Sequence, residues 1–190
     1  METRTVFFIG KPGCGKGTQA KLLAEATGWA VLASGVQFRE IAQEDSPVGR
    51  KTREEIDNGY LSPHWFAMYL FLKSLFSIPA DASAIFDGFN RKEAEARLVV
   101  DALAWLERPF QVIHIVVSDE EVRRRLEGRK EAQGRKDDSY VETRLEEYHT
   151  FTEQSLEIFS DRGVLIPING EQAPEAVSED IRKALGITSV

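Results

Sequence analysis

Directly after the apolar run Val6-Phe7-Phe8-Ile9, the chain reads Gly10-Lys11-Pro12-Gly13-Cys14-Gly15-Lys16-Gly17-Thr18-Gln19-Ala20. Glycines without a Cβ let successive backbone N–H groups converge on one point. A helix opening near Lys16 adds the partial positive charge of its N-terminus, and Lys16 adds a full one. A nest of this kind binds a polyphosphate. The generic phosphate loop has Ser or Thr directly after its lysine; here Gly17 intervenes and Thr18 follows. A second group, Asp87-Gly88-Phe89-Asn90-Arg91, ends the strand-like run Ala84-Ile85-Phe86. An aspartate at a strand's C-terminal end, facing a phosphate loop, can hold Mg²⁺ through its waters, and Arg91 would reach a phosphate. A third group is arginine-based: Arg125 and Arg129 stand one helical turn apart and so share one helix face. Arginine forks neutralise charge on phosphoryl oxygens, so the three groups together point to chemistry on phosphates.

The intervening sequence predicts the elements that position them. Lys16 to Thr27 reads as a helix closed by Gly28, and Ala30 to Ala33 as a short strand. Ser46-Pro47 predicts a cap and first turn for a helix running to Asn58, and Ser62-Pro63 the same for a helix to about Phe76. Ala84 to Asp87 reads as a strand and Lys92 to Glu107 as a helix. Gln111 to Val117 is, after its first residue, unalternated and β-branched except at His114, as in a parallel strand covered on both faces. Ser118-Asp119-Glu120-Glu121 predicts a capping box. A charged loop from Gly128 to Asp137 then leads into a long helix from Ser139 to about Ser160. Val164 to Ile168 is the last strand, and Pro174 opens the last helix. Alternating strands and helices make an α/β three-layer fold around a central parallel sheet.

The bounds are those of one domain: 190 residues, 42% hydrophobic, 29% charged, no repeat and no linker. A net charge of −7 argues against a general nucleic-acid or anionic-membrane binder. The lone Cys14 excludes an internal disulfide and suits a reducing compartment, and the N-terminal apolar run is too short for a signal or a membrane span, so a cytoplasmic location is expected. His64, His114 and His149 show no ligand spacing, and His149 beside Tyr148 reads as packing.

With its Gly15-Lys16-Gly17-Thr18-Gln19 variant, its Asp-Gly-Phe-x-Arg segment and its ordered arginines, the chain resembles the adenylate kinases and their nucleoside monophosphate kinase relatives from about Thr5 to Leu185. The resemblance implies a P-loop fold with a five-stranded parallel sheet, and transfer of the γ-phosphoryl group of Mg·ATP to a nucleoside monophosphate, AMP by overall pattern. It implies that Gly13, Cys14, Gly15, Lys16, Gly17 and Thr18 hold ATP, with Arg125, Arg129 and Gln172 beside its base and phosphates. It implies that Ser34, Arg39, Tyr60, Leu61, Ser62, Gly88, Phe89, Asn90, Arg91 and Glu95 hold the monophosphate, with Arg135 and Arg144 closing from a lid. Lys16, Arg91, Arg125, Arg135 and Arg144 are the implied catalytic set, and Asp87 holds Mg²⁺ through water. The implied mobile parts are a monophosphate-binding segment at about 34–63 and a short lid at about 129–138, which leaves no room for a four-cysteine zinc module. A monomer is implied.

Departures from the family bear on the acceptor. Val36 stands where the family has an aspartate, Asn90 where it has proline, and Glu95 where a glutamine pairs with adenine. An ionised Glu only accepts hydrogen bonds, whereas adenine's edge needs one donor and one acceptor. The alternatives are a GMP or UMP/CMP kinase of the same fold, or a nucleotide-binding regulator without turnover. A GTPase is disfavoured by the lack of an Asn-Lys-x-Asp segment.

Overall fold

In the computed structural model, residues 4–133 and 139–187 are described, the side chains of residues 131–133 excepted. In chain order the elements are β1 (Thr5–Gly10), α1 (Lys16–Thr27), β2 (Ala30–Ala33), α2 (Ser34–Gln43), α3 (Pro47–Asp57), α4 (His64–Phe76) and β3 (Ala84–Asp87). There follow α5 (Glu93–Trp105), β4 (Phe110–Val116), α6 (Asp119–Gln133), α7 (Val141–Glu147), a π-helical turn (Tyr148–Thr152), α8 (Glu153–Asp161), β5 (Leu165–Asn169) and α9 (Pro174–Ala184). The five strands form one parallel sheet in the order β2-β3-β1-β4-β5. β1 is central, with Phe7 level with Phe86 on one side and Val112 on the other.

Alternation along the strands divides the core into two layers. Phe7, Ile9, Phe86 and Val112 pack with α4, α5 and α8; Val6, Phe8, Ile85, Ile113 and Ile115 pack with α1, α6 and α9. Both faces of every central strand are therefore covered, which is why these strands lack polar alternation. The first layer is aromatic: Phe7 stacks on Phe86 at 4.9 Å, and Phe71 and Phe89 close around Phe86 at 5.3 and 5.7 Å. No described helix is long and apolar enough to cross a membrane.

The structure corrects several boundaries. α2 occupies residues for which the sequence predicts no element: its first turn carries Gly35 and Val36, poor helix formers, and its apolar face is fixed by tertiary contact, Phe38 meeting Phe66 edge-on at 5.4 Å. The hydroxyl of Ser46 caps α3 as expected, accepting from Gly49 N–H at 2.9 Å. At α4 the cap position is held by Pro63, with no side-chain cap. Only half of the predicted capping box forms. Glu121 N–H reaches the Ser118 hydroxyl at 3.4 Å, but Ser118 N–H donates to Glu171, because the Glu121 carboxylate is taken by Arg124 and Arg125. The charged stretch after Gly128 is helical through Gln133, so Gly128 and Arg129 lie on α6 rather than in a loop; the remainder of the predicted lid, with Arg135, lies outside the described residues. The long helix after Ser139 is interrupted by the π-helical turn.

Candidate functional site

The C-terminal ends of β1 and β3 open into a cleft of about 1250 Å³ that takes in the phosphate loop, the start of α2, residues 59–62, the turn after β3, and α6 and α7. This is the edge at which parallel α/β sheets place ligands.

Gly15 caps α1 at φ 105°, a conformation that leaves the first amides of the helix facing the cleft without a side-chain cap. Lys16 bends back into the loop. Its Nζ donates to Gly10 O at 2.7 Å and Lys11 O at 2.8 Å, and lies 3.6 Å from Cys14 Sγ. Burial holds its pKa below the usual lysine value, and the charges of Asp87, Arg91 and Arg144 all reach it. The other lysine of the loop is committed elsewhere. Lys11 pairs with Asp119, which also meets His149 Nε2 at 3.1 Å, while His149 Nδ1 meets Glu153 at 2.7 Å. His149 packs edge-on against the Tyr148 ring at 5.6 Å, as expected, and is also a member of an ionic chain whose carboxylates, Glu153 foremost, raise its pKa. Lys16 remains the loop cation that faces the cleft.

Arg125 spans two loops: Nη1 donates to Cys14 O at 3.2 Å, Nη2 to Gly170 O at 2.8 Å, and Nε to Glu121 at 2.6 Å. Arg124 pairs with Glu121 and Arg123 with Glu142 on the exposed face of α6. Asp87 is half-buried, and its Oδ2 lies 3.4 Å from where a Cβ on Gly17 would stand.

On the opposite wall, Gly88 has φ 80°, and a Cβ there would fall 2.7 Å from Arg91 Nη2 and 2.8 Å from Ser34 Oγ. Only glycine lets the Arg91 guanidinium and the Ser34 hydroxyl meet over this backbone. Arg91 Nε is fixed by Gly88 O at 2.7 Å, and Arg39 folds over Gly35 at the same end. Glu95 lines the cleft, only 3% exposed. Its Oε2 accepts from Arg91 N–H at 2.8 Å, and burial raises its pKa. The carboxylate therefore has a duty in the turn that the sequence does not reveal.

Tyr60, Leu61, Ser62, Phe89, Arg129 and Arg144 also line the cleft. Among the described residues, three predicted ones do not. Cys14 is buried beneath the loop, Asn90 is fully buried at φ 67°, and the exposed Gln172 amide donates to Asn169 O and Asp180.

The helix from Val141 onward supplies residues that sequence reasoning missed. Glu147 accepts from Leu61 N–H at 3.0 Å, Tyr148 and Thr152 line the cleft, and Thr152 Oγ1 donates to Arg91 O at 3.0 Å. Lys92 donates to Ser62 O at 3.1 Å. The π-helical turn lies between Glu147 and α8, and no periodic signal in the sequence marks it.

Tyr148 Oη also meets His114 Nε2 at 3.0 Å. Burial, reinforced by Lys16 and Lys11, lowers the His114 pKa to about 4. Between the unfolded value of 6.5 and about 4 the unfolded chain binds more protons, so His114 makes stability fall as pH drops through that window and level off below it. Urea midpoints measured from pH 7 to pH 4 should decline more steeply in the wild type than in His114→Gln, since the raised pKa of His149 works in the opposite sense and is common to both. An equal decline in the variant would remove His114 as its source.

Comparison with known proteins agrees with this geometry. The adenylate kinase family model matches residues 8–164. The chain is 36% identical over 187 residues to the adenylate kinase of Thermus thermophilus, covering 97% of this chain and 98% of that one. It is 34% identical over 184 residues to adenylate kinase 1 of a Nostoc species (95% and 98%), and 34% over 185 residues to the adenylate kinase of Maricaulis maris (95% and 97%). With the phosphate loop, the arginine-lined cleft and the five-stranded parallel sheet in place, this chain belongs to the adenylate kinase family.

Proposed function

We propose that the chain transfers the γ-phosphoryl group of Mg·ATP to AMP, giving two molecules of ADP. One observation carries the reading: a single cleft holds two anion sites, the loop with Lys16 on one wall and Ser34, Arg39 and Arg91 on the other, with Asp87, Arg91 and Arg144 all within electrostatic reach of Lys16. Two polyanions can be brought end to end there, and phosphoryl transfer needs little beyond positioning and charge neutralisation.

In this reading the loop amides and Lys16 hold the donor phosphates, and Arg125 and Arg129 flank them. Arg39 and Arg91 grip the acceptor phosphate, and Arg144, with Arg135 from the lid, covers the group in transit. Among the described residues no cluster of three His, Cys, Asp or Glu side chains could hold a metal alone. Asp87, beside Gly17, instead suits Mg²⁺ that arrives on the ATP phosphates and is held through water. Such an ion would neutralise phosphoryl oxygens. The 34–63 segment and the 129–138 lid are the parts that close and exclude water; the Glu147–Leu61 bond supports contact between the first of them and α7. The lone cysteine is consistent with a cytoplasmic setting.

A coupled assay with ATP and AMP, GMP, CMP or UMP tests the proposal. AMP should give the highest kcat/KM. No transfer to any acceptor, with tight nucleotide binding retained, would make the chain a regulator instead.

Glu95 sharpens the assay. In the variant Glu95→Gln the new amide can still accept from Arg91 N–H while offering adenine a donor. The kcat/KM ratio of AMP over GMP should therefore rise about tenfold, the effect of satisfying one buried group. If both acceptors respond equally, Glu95 serves the turn alone.

A further inference from the structure

Tyr60, Leu61 and Ser62 line the cleft between the end of α3 and the start of α4, in neither helix nor strand. Backbone groups in such a stretch have to be satisfied by other parts of the molecule. Tyr60 N–H still reaches back to Glu55 O at 3.0 Å. Beyond it the local support stops. The first amides of α4, Phe66 and Ala67, both donate to Pro63 O, at 3.0 and 3.1 Å, so the Ser62 carbonyl lies outside the helix ladder. Two charged side chains from other elements take the groups that remain. Glu147 of α7 accepts from Leu61 N–H at 3.0 Å, and Lys92 Nζ donates to Ser62 O at 3.1 Å.

Lys92 is well placed for this. It is the cap residue of α5, extended at φ −125° and half-buried, directly after Arg91. Its ammonium lies 5.2 Å from the centre of the Phe151 ring in the π-helical turn, an aromatic face that steadies a cation. One short turn therefore carries Arg91 and Glu95 into the cleft and sets Lys92 against the backbone of the neighbouring stretch. Lys92 itself does not line the cleft.

We propose, on the reading of this wall as the monophosphate site, that Lys92 is a positioning residue of that site: by holding the Ser62 carbonyl it sets where Tyr60, Leu61 and Ser62 stand relative to Arg91 and Glu95. A hydrogen bond from an ammonium is roughly twice as strong as one between neutral groups. Without it, residues 60–62 have to be ordered anew each time an acceptor binds, and that cost appears as weaker acceptor binding. The effect is one-sided. Lys92, Ser62 and Phe151 belong to the start of α5, the entry to α4 and the π-helical turn, and none of these carries the phosphate loop. Nor does Lys92 serve as a cation for the acceptor phosphate, since Arg39 and Arg91 line the cleft and the Lys92 ammonium is turned to a carbonyl and a ring.

Calorimetric titration and steady-state kinetics with AMP and ATP test this. Lys92→Met keeps an apolar stem of similar length and removes the donor. It should raise both Kd and KM for AMP about tenfold, while kcat at saturating AMP stays within about twofold and the Kd for ATP is unchanged. Lys92→Arg, which can still donate and stack, should recover most of the loss. The loss should be the same in low and high salt, because a direct hydrogen bond is not screened as a through-space attraction is. A loss that disappears in high salt would make Lys92 a steering charge and overturn the proposal. So would an unchanged affinity for AMP, an equal loss for ATP, or no recovery in Lys92→Arg. Wild-type protein that binds ATP but not AMP would instead overturn the reading of this wall, and the proposal with it.

Discussion

Lys16→Met should lower kcat at least a hundredfold while shifting the melting temperature by no more than about 5 °C. Loss of one preorganised cation that acts on charge developing in the transition state typically costs 10²–10³ in kcat. The structure explains why the fold tolerates the change. The ammonium is buried against two backbone carbonyls at a cost that already lowers its pKa, and Lys11, the other cation of the loop, is held away by Asp119. Removing Lys16 deletes two hydrogen bonds and one desolvated charge together, and these changes largely offset each other. A coupled assay at saturating ATP and AMP, with a thermal melt in parallel, checks both parts. More than a tenth of wild-type kcat would remove Lys16 from the transfer step.

The second large effect concerns stability, and it runs against the family pattern. Asn90→Pro restores the residue that the resemblance leads one to expect, yet it should destabilise the protein by about 3 kcal/mol or more. Asn90 sits at φ 67°, and the proline ring holds φ near −65°. Asparagine is among the few side chains that tolerate the left-handed region. The same backbone carries Gly88, Arg91 and Glu95, and Asn90 O accepts from Ser155 Oγ at 3.0 Å, so the strain would reach the acceptor wall of the cleft. Asn90→Gly is the control. It keeps the dihedral and removes a buried amide whose oxygen and nitrogen both lack partners among the described residues, so it should be neutral within about 1 kcal/mol. Chemical denaturation of both variants tests the pair. A proline variant as stable as the wild type would mean that the turn has a second accessible conformation.

Asn90 also shows where sequence reading stops. A left-handed residue in a turn of four or five leaves no periodic trace, and the departure from the family's proline at this position does not by itself reveal the left-handed backbone. α2 escaped for a related reason: Ser34-Gly35-Val36 has no helical propensity, and the helix exists because Phe38 and Ile41 are needed against α4 and its neighbours. By contrast, strong local signals gave α1 with its Gly28 stop and β3 with its full boundaries. The loop, Asp87 and five arginines that line the cleft were legible because glycine and charge are chemically conspicuous and their order along the chain matches the family resemblance. Glu147, Tyr148 and Thr152 were not, since their place in the cleft follows from a helix that crosses from far along the chain and changes register at its π-helical turn.

The order of the sheet has a consequence for how the molecule is made. β1 and β2 leave the ribosome before the other described strands, and they are not neighbours: β1 lies between β3 and β4, and β2 touches only β3. No native strand pair exists until residues 84–87 have been synthesised, and the central strand is closed on its second side only when 110–116 follow. Throughout that interval the nascent chain carries Val6-Phe7-Phe8-Ile9 with an edge unsatisfied, a short, uncharged, β-prone stretch of the kind that seeks any available strand. The architecture that buries this strand most deeply in the finished enzyme also leaves it waiting longest for its neighbours, so the burden of avoiding aggregation falls on the period of translation.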